Sequence, residues 1–408
     1  VLCLEDAFGI TPPRNARIIR NLVQGANLVQ SHILHFYHLA ALDYVKGPDT
    51  APFVPRYEGD YRLPPDVTEV VVGHYIQALA MRRKAHEMGA VFGGRMPHTV
   101  VFLPGGVTTA VTEAMIETYA QKLRELISFI DNVYLPDVLA VAGAYEDWFE
   151  IGAGCKNLVS YGAYPLTDQK DSEGANQFFA RGAYIDGQYV PVDADQIKEH
   201  VTYSWYEGGA GKHPFEGETV PAVDKRGAYS WIKAPRYQDH PCEVGALARM
   251  WVGKNPQVTG LGDKAFSVMG RHFARAVEAS ILAHAMLDWL QELVPGEPAF
   301  EAYDVPRQAR GYGLTEAPRG ALGHWIEIED YVIKNYQAVV PSTWNISPRD
   351  DKGVRGPLEE ALVGTEVADP DNPIELVRIV RAFDPCIACA VHVIEVKGGR
   401  RVANFVIS

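Results

Sequence analysis

Cysteine is scarce: five in 408 residues, an odd number too small for a disulfide framework, which fits a metalloprotein better than a stapled secreted domain. Positive charge is also short, with 38 Lys and Arg against 51 Asp and Glu, and the net −13 repels phosphates over most of the surface, excluding nucleic acid as a partner. No charge-free run of about 18 apolar residues is present, so the sequence predicts no membrane span and leaves membrane contact to partners. No cysteine-rich stretch could hold an iron–sulfur cluster, and the chain opens on Val1 without an initiator methionine, so it reads as a fragment. Apolar residues are plentiful at 47%, enough for a large core in one big domain or two.

Two of the five cysteines, Cys386 and Cys389, stand as Cys-x-x-Cys near the C-terminus with His392 three residues on. Two thiolates and an imidazole at this spacing could converge on one metal, and soft thiolates favour zinc, copper(I), iron or nickel over magnesium or calcium. Zinc is the usual owner of such a pair, but a closed structural site needs about four protein ligands and the chain has no second pair. A dithiol redox pair lacks the expected strand before it and helix after it, and two ordinary buried cysteines also fit the spacing. Upstream, Asn372-Pro373 and the apolar Ile374, Leu376, Val377, Ile379 and Val380 read as a capped helix that Pro385 ends near Asp384.

The remaining pattern is α+β, predominantly α, with long buried helices in a central bundle and a smaller β-rich insertion at about 162–237. Helices are expected over 15–44, 67–88, 108–134 and 264–293. Asp66 and Glu69 suit a capping box for the second, and Asp186-Gly187 suits a hairpin turn inside the insertion. His32, His35 and His38 recur at three-residue spacing on the first helix. Hydrogen-bonded core histidines explain them better than a metal face, because no carboxylate or thiol is interleaved. Gly93-Gly94 lacks the ending of a phosphate loop, and Arg95 and His98 after it are candidates for packing near the buried helix. Cys3 reads as a small core residue, and Cys155 and Cys242 as incidental loop residues. The last sixteen residues, 393–408, alternate about Gly398-Gly399 as a hairpin.

The string Asp384-Pro385-Cys386-x-x-Cys389-x-x-His392 resembles the second nickel-binding motif of the large subunit of nickel-iron hydrogenases. So do His35-Phe36-Tyr37-His38-Leu39, Gly93-Gly94-Arg95-Met96-Pro97-His98, Ala317-Pro318-Arg319-Gly320 and Val340-Pro341-Ser342-Thr343-Trp344-Asn345, and the resemblance runs from about residue 5 to 392. The segment from Gly47 to Tyr57 looks closest to the nickel-iron-selenium and related respiratory branch. The family's other nickel motif, Arg-x-Cys-Gly-x-Cys, would lie shortly before the point matching Val1, and Ser31 stands where many members carry an aspartate.

The resemblance implies one domain over 1–392 and a tail, 393–408, removed on maturation. It implies catalytic roles for Arg319, Asp384 and Cys386, with Cys386 a terminal nickel ligand and Cys389 bridging nickel and iron. Arg319 and Ser342 would hold cyanide ligands of the iron with Pro318 beside them, while Leu322, Val340 and Pro341 would wall its carbon monoxide. His392 and the backbone carbonyl of Ala338 would hold a magnesium or iron ion. The implied partners are an iron–sulfur small subunit, a maturation protease and nickel-insertion proteins. The implied location is the periplasm, reached with the small subunit, with the cytoplasm as the alternative. A metal-free relative such as the quinone-site subunit of respiratory complex I, or a hydrogen sensor, is the competing function; retention of both Cys386 and Cys389 argues against the former, and the tail against the latter.

Overall fold

The computed structural model describes residues 1–51, 53–56, 59–168 and 174–386, and the backbone of 391–397 and 400–407. Helix α1 (Leu2–Phe8) leads into α2 (Arg14–Leu34), whose buried residues lie on nearly every side, as its apolar sequence requires. The helix predicted over 15–44 comes in three pieces. After α2 the chain widens into a π turn, His35–Ala40, and then tightens into a 3₁₀ turn, Ala41–Asp43. Helix α3 (Pro65–Gly93) runs past the predicted stop. The capping box of Asp66 and Glu69 does not form there: Pro65 occupies the first turn, where its missing N–H costs nothing, and no side chain caps the helix.

A short pair, β1 (Phe102–Leu103) and β2 (Gly106–Val107), precedes α4 (Glu113–Phe129). That helix starts later than its sequence suggests because Thr112, not Thr108, accepts the Met115 N–H. It continues through a π turn, Ile130–Tyr134, into α5 (Leu135–Ala144). Pro136 cannot donate to residue 132 and its ring crowds that carbonyl, which accounts for the widened turn. The stretch Glu113–Ala144 corrects one expectation: by length and composition it is apolar enough to cross a membrane. Asp131 and Asp137 keep it from reading as a charge-free run. Here Leu123, Leu126, Ile130 and Val138 on it are buried, with α4 packed on α3 and α4 and α5 on the eighth helix, introduced below.

The insertion holds a three-stranded antiparallel sheet, β3 (Leu158–Pro165), β4 (Gln177–Ile185) and β5 (Gln188–Val190), with Asp186 and Gly187 at φ 49° and 81° in the hairpin turn. A second pair follows, β6 (Ile197–His200) with β7 (Ala234–Tyr237), and between them Ser204 and Ser230 form an isolated bridge. Two short helices, α6 (Ala246–Val252) and α7 (Pro256–Thr259), precede α8 (Val268–Gln291), capped by Ser267. Helix α8 packs against α2, and a Cβ on Gly25 of α2 would meet Met286 Sδ at 2.6 Å, so glycine permits the close approach.

An antiparallel meander that the sequence reading missed comes next: β8 (Gln308–Ala317), β9 (Gly320–Glu329) and β10 (Val332–Val339). Glycines at 311, 313, 320 and 323 dilute its β-branched signal. The chain closes with α9 (Pro341–Asn345), α10 (Pro357–Leu362) and α11 (Ile374–Ala382), followed by a hairpin of β11 (Val391–Lys397) and β12 (Arg400–Ile407).

Candidate metal centre

Helix α11 is amphipathic and buries Ile374, Val377, Ile379 and Val380. Its polar residues anchor it as firmly. Arg378, 1% exposed, donates to Asp43 O at 2.6 Å and sits over the rings of Tyr44, Tyr145 and Trp148 at 4.8 to 5.0 Å. Arg381 pairs with Asp43, and His35 Nε2 lies 2.6 Å from Arg381 O; since a carbonyl only accepts, His35 carries its proton on Nε2. Phe383, just past the helix, lies under Arg271 at 3.9 Å, and Arg271 is held by Glu243 at 2.7 Å.

Asp384 then adopts φ 53°, a left-handed conformation that aspartate tolerates better than most side chains, with Pro385 following. The turn throws Cys386 away from the helix axis. The Asp384 carboxylate is fully buried and faces Arg319, Nε to Oδ1 3.1 Å. Burial raises its pKa against the pull of Arg319 and Arg275. Cys386 donates its backbone N–H to Ser342 Oγ at 3.2 Å, which leaves the hydroxyl proton of Ser342 free to donate elsewhere.

Arg319 reaches Asp384 from a rigid place. Ala317 pairs with Gly320, so Pro318 and Arg319 form a two-residue hairpin tip between β8 and β9. Ser342 sits in the first turn of α9, behind Val340 and Pro341. The structure thus brings Arg319, Ser342, Asp384 and Cys386 together from three separate elements. Pro318 and Leu322 line a groove of about 530 Å³ bounded by α1, α2 and β8. Val340 and Ala338 are exposed on this chain, the latter in β10 opposite His324 of β9. Cys389 and the side chain of His392 lie outside the described residues; the His392 backbone pairs with Val406 in the terminal hairpin. Among the described residues no three His, Cys, Asp or Glu side chains form a metal-ligand group.

The three histidines of the first helix are structural. His32 Nε2 meets Glu278 Oε2 at 2.6 Å, and His38 Nε2 meets Tyr75 O at 3.3 Å. Burial pushes His32 down to about 4, so it is neutral and donates to the carboxylate. Arg95 and His98 do not pack on the buried helix: both are exposed, and Arg95 Nε donates to His98 O at 2.7 Å because the turn folds back on itself. Cys3 is 5% exposed in the core, and Ser31 is buried beside His32.

Sequence reasoning missed a buried charge cluster behind the hairpin tip. Arg249 on α6 binds Glu278 at 2.5 and 2.7 Å and Glu316 at 2.8 Å. Burial would raise Glu278, but Arg249 and His32 hold it down to about 2; burial pushes Glu316 up to about 7 against the pull of Arg249. A single arginine inside Ala-Leu-Ala-Arg-Met-Trp-Val was the available signal, since such a charge must find buried partners.

Comparison with known proteins fits this geometry. A profile of the nickel-dependent hydrogenase family matches residues 1–49 and 45–392. The periplasmic [NiFeSe] hydrogenase large subunit of Desulfomicrobium baculatum is 45% identical over 98% of this chain and 82% of its own length. The quinone-reactive Ni/Fe-hydrogenase large chain of Wolinella succinogenes is 32% identical over 98% and 84%. A solved [NiFeSe] hydrogenase from Desulfovibrio vulgaris Hildenborough superposes with a TM-score of 0.91 at 46% identity, covering 95% of this chain and 84% of that one. The chain therefore belongs to the nickel-dependent hydrogenase family, as a large, catalytic subunit.

Proposed function

We propose that Cys386 and Cys389 hold the nickel of the nickel–iron centre, Cys386 as a terminal ligand and Cys389 as the sulfur shared with iron, for reversible heterolytic cleavage of dihydrogen. The observation that carries this reading is the seat of Cys386: a soft sulfur fixed through its own backbone to Ser342, beside a guanidinium held by a buried carboxylate. The donor set fits the group. Arg319 and the free Ser342 hydroxyl proton suit small anionic ligands such as cyanide, and Pro318, Leu322, Val340 and Pro341 suit an uncharged one such as carbon monoxide. Both Asp384 oxygens are buried without a hydrogen-bond partner among the described residues, so this carboxylate is committed to charge pairing.

The bound centre would supply the Lewis acidity that polarises dihydrogen. Cys386 Sγ, partly accessible, accepts the proton. Asp384 keeps Arg319 aligned, and Arg319 gives a planar, permanently charged donor over the open side. Electrons leave through a small subunit carrying iron–sulfur clusters, since this chain has too few cysteines for its own. Cys386 is also the position at which a selenocysteine would act.

His392, with the carbonyl of Ala338, would hold a magnesium or iron ion once a maturation protease cuts after it and frees its terminus from the 393–408 hairpin; nickel-insertion proteins act before the cut. By similarity to its periplasmic relative, the chain works in the periplasm. Elemental analysis of the full-length, partner-bound protein tests the core of this reading. Nickel should approach one per large subunit, with iron above the complement of the small subunit's clusters, and Cys389→Ser should lose the nickel and that additional iron. Unchanged nickel in the variant would remove Cys389 from the bridge, and nickel-free wild-type protein would overturn the reading.

A further inference from the structure

We propose that Arg249 is the positioning residue for Arg319, acting through the backbone of the turn that carries it. The tip of the β8–β9 hairpin has two carbonyls held from inside the molecule. Arg249 Nη1 donates to Ala317 O at 3.1 Å and Nη2 to Pro318 O at 3.0 Å. The same guanidinium, 0% exposed, is fixed to Glu278 through Nε and Nη2 and to Glu316 through Nη1, so it cannot rotate without breaking bonds to two carboxylates. Glu316 lies in the strand that enters the turn, and its other oxygen accepts the Tyr161 N–H at 2.6 Å, tying β8 to β3.

A second contact closes the clamp from the opposite side. A Cβ on Gly245 would meet Arg319 O at 3.0 Å, and one on Gly320, at φ 134°, would meet Gly245 N at 2.6 Å. The loop before α6 therefore presses directly on the turn while Arg249 pulls on it. Charge balance needs only a carboxylate. The carbonyl bonds are left over, and what they do is aim the peptide planes on either side of Pro318, from which Arg319 reaches Asp384.

This inference rests on the reading of Arg319 as facing the metal centre, so its test separates the two. In partner-bound, metal-loaded enzyme, Arg249→Lys keeps a charge for the carboxylates but cannot span both carbonyls as a planar fork. Gly245→Ala pushes the same turn without removing a charge, and at φ 121° it strains the entry to α6. Each should retain wild-type nickel and iron and lose about tenfold or more in kcat, as expected for a reacting group misplaced by a fraction of an ångström, with KM changed by no more than about twofold. Neither should lose further turnover when combined with Arg319→Lys, because the damage runs through Arg319. Multiplicative losses in the double variants, wild-type turnover in the singles, or loss of metal from both singles would overturn the proposal; if Arg249→Lys does not fold, Gly245→Ala decides alone. A crystal structure of a variant reads the claim without metals: the Arg319–Asp384 contact should open beyond about 4 Å, the limit of an ion pair. An unchanged contact overturns the positioning role, whereas nickel-free wild-type protein overturns only the functional reading.

Discussion

Replacing Asp384 with asparagine isolates the charge of the carboxylate from its shape. Asparagine is close to isosteric and accepts the left-handed φ of 53° as readily as aspartate, so the path of the chain into Cys386 is kept. What is lost is the ion pair with Arg319, formed at 3.1 Å between a fully buried oxygen and a side chain one quarter exposed. Exposed ion pairs are worth about 0.2–1 kcal/mol and removing one partner of a buried pair costs about 3–5 kcal/mol. The exposure of Arg319 places this one between the two ranges, nearer the lower, and about 1.5 kcal/mol corresponds to a little over tenfold in the fraction of molecules with the guanidinium aligned. Hydrogen uptake with a dye acceptor should therefore show kcat reduced about tenfold with KM nearly unchanged, the signature of a contact that matters to the transition state more than to binding. Nickel and iron should stay at wild-type levels. Turnover within about twofold of wild type, or a loss fully accounted for by missing metal, would refute the reasoning.

Arg319→Lys should keep the metals and lose most turnover, because a single ammonium cannot reproduce a planar fork; normal hydrogen uptake would remove Arg319 from the mechanism. Ser342→Ala removes the acceptor of the Cys386 N–H and should cost about 1 kcal/mol of stability, read as a lower unfolding midpoint, together with faster nickel loss to a chelator. Glu316 is raised by burial from 4.5 to about 7, so the folded chain binds that proton more tightly than the unfolded one. The stability this adds is complete below the unfolded value and is lost as pH rises to about 7. Glu316→Gln removes the titration, so wild type should lose stability relative to the variant as pH rises across that window, measured by urea unfolding at several pH values. A difference independent of pH would show that Glu316 does not titrate there.

The helices were legible wherever burial alone dictates sequence. The segments that became α2, α4, α8 and α11 are apolar at helical spacing, and the Asn372-Pro373 start and the expected end at residue 293 fall within a few residues of the observed ends. The meander of β8 to β10 was illegible because its strands use glycine where α1 crosses them: a Cβ on Gly311 would meet Ala7 N at 2.4 Å. The site was half legible. Cys-x-x-Cys advertises itself locally, but Arg319 and Ser342 lie 67 and 44 residues from Cys386 by numbering and were assigned only through the family's motifs. Arg249, Glu278 and Glu316 carry no motif, and a charge that finds its partners only in the folded core leaves no periodic trace.

The loop after residue 44 is tethered at both ends, with Phe53 between them packed on Tyr75 at 5.3 Å. The Tyr145 hydroxyl lies 2.9 Å from Tyr44 O and 2.6 Å from Asp60 O, and Arg378 reaches both Asp43 O and Asp60 O. Mechanically this is a clasp, and the span it closes can change length without passing strain to the metal seat, since doubling a flexible loop costs only about 0.6 kcal/mol. Insertions and deletions should collect there across the family, and it is at residues 45–49 that the family match of this chain divides into two segments.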